Sequence, residues 1–393
     1  MRMIFAAWDY NGQEGAVRAF ERLGYRVSRI AIDQAGNITD DPEIAGRLST
    51  LIEACLREQD PCRFVFSHDY FPVISDVCQR FSVPYLSHVY DSPHYSLTSP
   101  TTGNAVNRIH VFDRGLLEEL EAGGTGNLRH TLLSVDPDLA GQAKRYDGQP
   151  YEHEVSFIGS LYRDRYTFYD QIEGLPQTLR EYMDLAFAAQ RKIFGVDLLG
   201  NPELVPDKII DALGGHVHFD LNGDYRMEPR MLLRDILRKK VTSLERAEIL
   251  ARLGERFPVD LYTTPGTETP SGVRNLGYAS YDREMPRVFR RSRVNINITL
   301  RTIRTGIPQR ALDIMACGGF LLSDYREELA EFFSEGEELV LARTPEDFLR
   351  LTEYYLAHEK EREEIARNGQ RRVLENYTHD SVFRKMTGEL AGD

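Results

Sequence analysis

From residue 3 to residue 135, short apolar runs alternate with longer helical patterns, and this alternation constrains the fold more than any other feature. The runs at 3–8, 26–32, 63–67, 84–89, 109–112 and 130–135 read as strands, and 14–23, 42–58, 72–81 and 114–121 as helices between them. Strands separated by helices of about 10–15 residues predict a parallel sheet, because a parallel pair needs a crossover and the crossover covers a face. A polar, turn-rich piece at 136–154, with Pro137, Gly141, Gly148 and Pro150, reads as a linker. A strand at 155–158 follows, then a helical stretch at 163–256, then strands again at 259–262 and 273–276. That interruption is too long for one crossover and predicts a helical insertion. The expected fold class is α/β, with two Rossmann-like doubly wound domains at about 1–145 and 150–376, the second carrying the insertion at 163–256. A chain of 393 residues is long enough for both.

Composition narrows the function. The formal charge of −13, from 61 Asp+Glu against 48 Lys+Arg, argues against nucleic-acid binding, which needs a basic face. Cys55, Cys62, Cys78 and Cys317 show no metal-ligand spacing and fit a reducing compartment. The N-terminal apolar run is too short for a signal peptide, and no segment reaches membrane-span length. A cytoplasmic protein without a transmembrane segment is expected; peripheral membrane contact stays open.

Against this acidic background, no acidic residue occurs between Met285 and Leu312, while seven arginines do: Arg287, Arg290, Arg291, Arg293, Arg301, Arg304 and Arg310. The region from Val294 to Tyr325 reads as strand, loop, helix, turn, strand. Pro308 suits the first turn of the helix and Gly318-Gly319 its stop. Arg287 to Arg293 read as a solvated helix face. Arg301, Arg304 and Arg310, beside Gly306 and Pro308, read as ligands for a diphosphate at the helix start, where free N–H groups and guanidinium forks favour anions. Asp313, three residues after Arg310, would accept hydrogen bonds from ribose hydroxyls. Gly159-Ser160 closes a strand at an edge where open α/β domains bind ligands, so with Arg163 and Arg165 it would face the same diphosphate.

Two polar–aromatic runs also follow strands: Ser67-His68-Asp69-Tyr70-Phe71, and Ser87-His88-Val89-Tyr90-Asp91-Ser92-Pro93-His94. Asp91 is the first candidate for a general base towards an acceptor hydroxyl, followed by His88 and His68. Asp9, Asp69, Tyr70 and His94 are expected on the acceptor side. The early loop at Asp9-Tyr10-Asn11-Gly12 lacks a GxGxxG fingerprint. Asp136-Pro137-Asp138 is read as turn chemistry rather than a metal-binding DxD. His216 and His218 would share one side of a strand, without a third ligand. Asp324 with Glu327, and Thr344 with Asp347, have the spacing of capping boxes.

The run Gly306-Ile307-Pro308-Gln309-Arg310-Ala311-Leu312-Asp313-Ile314-Met315-Ala316-Cys317-Gly318-Gly319-Phe320 resembles the C-terminal domain of glycosyltransferases similar to the spore maturation protein CgeB, within the two-domain GT-B architecture. Gly336-Glu337-Glu338-Leu339-Val340, Glu363-Glu364-Ile365-Ala366-Arg367-Asn368-Gly369, Val89-Tyr90-Asp91-Ser92-Pro93 and His110-Val111-Phe112-Asp113-Arg114 extend the likeness. The resemblance implies a nucleoside-diphosphate sugar on the C-terminal domain, an acceptor on the N-terminal domain and transfer in a cleft between them. It also implies no obligatory metal and no cofactor beyond the donor substrate. By the same analogy a final helix at 377–393 returns to the N-terminal domain. Related enzymes carry a glutamate at the position of Asp313 and another seven residues earlier, where this chain has Gly306, so the grip on sugar and ribose differs here. The expected function is transfer of a hexose-type sugar to an acceptor the sequence does not name. The rival readings are a non-catalytic sugar-nucleotide or glycan-binding protein and a same-fold nucleotide-sugar epimerase.

Overall fold

Six strands pair into one parallel sheet and six into another, in a computed structural model that describes residues 1–8, 10, 12–32, 41–57, 62–163, 168–218 and 228–391. The chain divides into two units, whose described residues are 1–136 with 376–391, and 137–218 with 228–375. The break falls at Asp136/Pro137 rather than in the region 145–150. The expected linker is in fact an α-helix, Pro137–Ala143, whose Leu139 and Ala143 are buried.

The first unit runs β1 (Arg2–Ala7), α1 (Gln13–Arg22), β2 (Arg26–Ala31), α2 (Pro42–Arg57), β3 (Cys62–His68), α3 (Pro72–Phe81), β4 (Tyr85–Val89), β5 (Asn107–Val111), α4 (Arg114–Ala122) and β6 (Leu128–His130). Its strand order is β2-β1-β3-β4-β5-β6. β4 is buried along its whole length, as expected of a central parallel strand covered on both faces. The run expected as a strand at 130–135 pairs only at its start, and Val135 then bridges to Thr378.

The second unit runs α5 (Pro137–Ala143), β7 (His153–Ile158), α6 (Gln177–Gln190), α7 (Asp207–Gly214), α8 (Pro229–Gly254), β8 (Val259–Tyr262), β9 (Val273–Asn275), α9 (Glu284–Arg290), β10 (Ser292–Asn297), α10 (Gln309–Ala316), β11 (Leu321–Asp324), α11 (Glu327–Phe332), β12 (Val340–Ala342), α12 (Pro345–Ala357) and α13 (Glu359–Asn376). The order β12-β11-β10-β7-β8-β9 is the dinucleotide-fold order read from the far edge, and its direction of winding reverses between β7 and β10. The helical stretch between β7 and β8 has its own core, including Met183, Phe187, Leu213 and Leu237. The last part of α8 belongs to the sheet instead, since Ile249, Leu250 and Leu253 pack with the strand residues. His216 and His218 follow the end of α7 and are not on a strand.

Several local signals act as their chemistry requires. At the end of α10, Gly318 N–H donates to Met315 and Gly319 N–H to Ile314, and Gly318 takes φ +70°, the left-handed stop. Thr344 and Asp347 form a capping box with Pro345 in the first turn of α12. Asp324 and Glu327 do not. Asp324 is fully buried and accepts from Thr299, while Arg326 precedes α11 without capping it. Among the described residues no helix is long and apolar enough to cross a membrane.

α14 (His379–Gly388) packs on the first sheet. Phe383 stacks on Phe20 with ring centroids 4.6 Å apart, and His379 stacks on Phe383 at 5.2 Å. Beside them lie His68 and His88, both buried, with ring centroids 6.1 Å apart. Among the described residues neither His68 Nε2 nor His88 Nδ1 has a hydrogen-bond partner. Burial holds His88 down to about 4 and His379 down to about 3. It also drives His68 well below the ordinary range, helped by the neighbouring His88 and His379 rings.

Two outcomes are expected. Phe383→Ala removes a fully buried ring and should cost about 3–5 kcal/mol, read by urea denaturation; a loss within experimental error would mean that α14 is not seated as described. The histidines set a sign for pH. Their folded values lie below the unfolded value of about 6.5, so stability is complete above pH 6.5 and declines as pH falls towards the folded values, by up to about 1.4 kcal/mol per pH unit for each ring. The urea midpoint should therefore drop between pH 7 and pH 5, and His379→Phe should flatten the decline. An unchanged midpoint would contradict neutral, buried rings.

Candidate functional site

Open parallel sheets bind ligands at the carboxyl edge where the winding reverses, which in the second unit is the edge between β7 and β10. Gly159 follows β7 there, with φ +152° and its N–H donating to Tyr262 of β8. β10 ends in Asn297, whose amide nitrogen donates to Thr299 and to Ser323 of β11. That fixes the amide orientation, so its oxygen is turned to receive Arg310 Nη1 at 3.2 Å. Arg310 sits in the first turn of α10 with its guanidinium 5.0 Å from the Phe157 ring centre. A Cβ on Gly159 would lie 2.9 Å from Arg310 Nη2, so only glycine leaves room for this approach.

A second guanidinium shares the place. Arg246 of α8 is 2% exposed, and it donates to the backbone oxygens of Ser160 (2.6 Å) and Ile298 (2.7 Å). It lies 5.4 Å from the Phe157 ring and 5.0 Å from that of Tyr162. Among the described residues neither Arg246 nor Arg310 has a carboxylate partner. Burial first, then the neighbouring Arg246 charge, push Arg310 down to about 9, and burial also lowers Arg246. Two buried cations with no carboxylate at ion-pair distance among the described residues, one of them at a helix start, suit an anion.

The other arginines of the run have partners. Arg301 was expected on the diphosphate; it is buried and pairs with Glu245 of α8, with Nε 3.0 Å from Oε2, and it also donates to Ile193 O. Arg304, expected in the same role, pairs with Asp235 of α8 at 3.1 Å, and its side chain is 9% exposed. Both pairs hold the loop after β10 against α8. Arg287 and Arg291 pair with Glu152, and Arg290 with Asp147 at 2.7 Å. Gly306 is buried within the loop. Asp313 is 4% exposed on α10 and accepts from Gln309 Nε2 (2.8 Å) and the Tyr281 hydroxyl (3.3 Å). Ser160 Oγ accepts from Tyr162 N–H. Arg165 lies outside the described residues.

In the first unit the corresponding edge is arranged by Asp69. Its φ is +60°, it is 1% exposed, and Oδ1 accepts from the backbone of Tyr90 (2.8 Å) and Asp91 (3.1 Å). His94 is buried with Nε2 engaged by the backbone of Tyr70, and the Tyr70 hydroxyl bonds Thr101 at 2.8 Å. Asp69, Tyr70 and His94, expected to meet an acceptor, therefore build the loops. His68 and His88 belong to the buried ring cluster, and His68 also meets the Tyr10 hydroxyl, so neither offers a base to solvent. Asp91 is exposed. One carboxylate or imidazole atom from each of Asp69, Asp91 and His94 lies within 4.8 Å of the others. Since Asp69 and His94 already serve backbone groups, that closeness is explained by the fold. Asp9 lies outside the described residues.

Sequence reasoning missed Arg246, Tyr162 and Asn297. A signal existed for the first. Asp235, Arg238, Thr242, Glu245 and Arg246 recur at helical spacing and are all buried, so α8 carries a polar stripe on an inward face. A polar stripe there demands partners, and the loop after β10 supplies them.

Comparison with known proteins places this geometry. Residues 237–388, from within α8 to the end of α14, match the family described as glycosyl transferase-like. Among curated proteins no sequence matches the chain. Among solved structures, the chain superposes on sucrose-phosphate synthase from Thermosynechococcus elongatus with a TM-score of 0.52 at 11% identity, covering 100% of this chain and 98% of that one. It superposes on Anabaena Alr3699/HepE in complex with UDP and glucose with a TM-score of 0.52 at 10% identity, covering 100% of both chains. The fold, two parallel six-stranded sheets flanked by helices, is that of the GT-B glycosyltransferases.

Proposed function

We propose that this GT-B chain is a glycosyltransferase, of the CgeB-like type, that moves a hexose-type sugar from a nucleoside diphosphate to an acceptor hydroxyl. The observation that carries this reading is the pair Arg246 and Arg310, two guanidiniums without carboxylate partners among the described residues, near Gly159 at the winding reversal of the second sheet. The glycosyl transferase-like match covers both arginines and all of α10. Anabaena HepE, which has the same fold, was captured with UDP and with UDP-glucose, and we carry that class of donor over to this chain.

In this mechanism the diphosphate lies across the N-terminus of α10. Arg310 is the primary contact, its fork aimed by Asn297, and Arg246 supports it from α8. As the bond from sugar to phosphate breaks, negative charge grows on the departing oxygen, and fixed guanidiniums in a dry setting stabilise it without having to reorganise. Asp313 grips the ribose hydroxyls, with Gln309 and Tyr281 sharing one of its oxygens. Arg301 and Arg304 act only as positioning residues, by holding the loop between β10 and α10. Asp91 of the first unit serves as general base if the anomeric centre inverts. Because arginines supply the counter-charge, no metal is required.

Titration of UDP should raise the melting temperature in proportion to occupancy. Arg310→Ala should weaken UDP about 10- to 100-fold, the range for losing a charge-assisted hydrogen bond to phosphate. Gly159→Ala should give a smaller loss, because its methyl group displaces the Arg310 fork while the fold survives. Asp91→Asn should leave UDP affinity unchanged and lower sugar transfer about 100-fold or more. Turnover should persist in EDTA. If no nucleoside diphosphate shifts the melting temperature, the donor reading is wrong. Donor turnover without any acceptor, at the same rate with epimerised product, would favour an epimerase.

A further inference from the structure

The second unit holds a cavity of about 440 Å³ at the amino edge of its sheet, the edge opposite Arg310. Tyr151 lines it two residues before β7 begins, and Arg293 lines it at the second residue of β10. α13 contributes Arg362, Glu363 and Arg367, and α9 contributes Arg290. With Glu359, the charged lining is four arginines against two glutamates. In an acidic chain this is a second local reversal of sign, away from the donor edge.

The arginines differ in what they already hold. Arg290 is committed to Asp147, and Arg367 lies 3.8 Å from Glu363. Arg362 is 1% exposed and donates to Tyr355 O at 2.6 Å, with Glu359 at 3.4 Å. Among the described residues Arg293 has no carboxylate partner. Its guanidinium stands 5.6 Å from the centre of the Tyr151 ring, and Arg362 stands 5.4 Å from the same centre. Tyr151 is itself fixed by its hydroxyl, which donates to Glu363 at 3.2 Å. A ring face stabilises a cation but satisfies none of its N–H donors in the way a carboxylate does. Two guanidiniums thus face one ring, and among the described residues the half-buried Arg293 fork has no hydrogen-bond partner, which leaves it available to an anion.

We propose that this cavity is a second ligand site, taking a small phosphomonoester of sugar-phosphate size. The volume suits such a ligand. A phosphate's negative charge suits the excess of positive charge, and the Arg293 fork can receive two of its oxygens in parallel. Tyr151 offers a flat wall to the sugar body. The site shares no residue with the donor edge and does not rest on the glycosyltransferase reading.

Calorimetric titration of the full chain with glucose 6-phosphate tests it, because one probe can be followed through variants of both edges. The expected result is saturable binding in the unaltered protein, retained in Arg310→Ala and weakened about tenfold or more in Arg293→Gln. Glucose should not bind at the same concentrations, and citrate should bind more weakly than the phosphomonoester. Arg367→Gln, at the exposed rim, should give a smaller loss and keeps the test available if Arg293→Gln does not fold. Absence of heat in the unaltered protein at millimolar probe overturns the proposal. So does binding that disappears in Arg310→Ala but persists in Arg293→Gln, since the probe would then sit at the donor edge. Citrate binding more tightly than glucose 6-phosphate overturns the ligand class.

Discussion

The second unit depends on the grip of one helix face on one loop. Along α8, Asp235, Thr242, Glu245 and Arg246 point inward and are buried, and each meets the strand end or loop that follows β10 or β7. Thr242 Oγ1 accepts from Arg301 N–H at 2.9 Å, Glu245 takes the Arg301 fork, and Asp235 takes Arg304. Such pairs add little net stability against an apolar core, yet removing one partner strands a buried charge at a cost of about 3–5 kcal/mol. They fix the loop in one arrangement. Asp324 completes the hold from β11, accepting from Thr299 and pairing with Arg326 at 2.9 Å. Arg310 can wait at the start of α10 because the chain before it is fixed at several points.

The topology explains why this place was available. With strand order β12-β11-β10-β7-β8-β9, the connections leaving β7 and β10 run to opposite sides, which opens a crevice at their carboxyl ends. Gly159 follows the last residue of β7 and Asn297 is the last of β10, and Arg310 spans them, bonded to the second and close to the first. The same rule applied to the first sheet points to the ends of β1 and β3. There Trp8 Nε1 donates to His68 O, and Tyr10 covers the His68 ring, so aromatic side chains close that edge.

Most strands and helices were legible because burial imposes a period on the sequence, and that period survives without knowledge of partners. Residues 72–81 and 259–262 end where the sequence reading put them. Side-chain roles were less legible, and the failures share a cause. Arg301 looked ligand-seeking because no acid lies near it in sequence, but Glu245 is far back along the chain, on another element. His68 and His88 looked catalytic because they close strands at the correct edge. In a parallel sheet covered on both faces, polar side chains near a strand end can still be interior, and α14 arrives from the far end of the chain to seal them. The placement of Gly159 and Arg310 at one sheet edge was legible because its logic is local: a strand stop, and a helix start.

Arginine is thus used in two ways in this chain, and its partner distinguishes them. A guanidinium with a buried carboxylate, as in Arg301, Arg304, Arg238 or Arg326, is structural, and its charge is already neutralised. A guanidinium that is desolvated but lacks a carboxylate raises the energy of the empty protein, since burial disfavours its charge and a like-charged neighbour repels it. Arg310 shows this cost directly, held down to about 9 by burial and by Arg246. A fold tolerates that strain most readily where an anion relieves it. β10 runs between two arginine-lined edges, with half-buried Arg293 near its amino end and Asn297, the residue that aims Arg310, at its carboxyl end. One buried strand therefore carries Arg293 and aims Arg310, and its apolar residues Val294 and Ile296 are buried between the two edges.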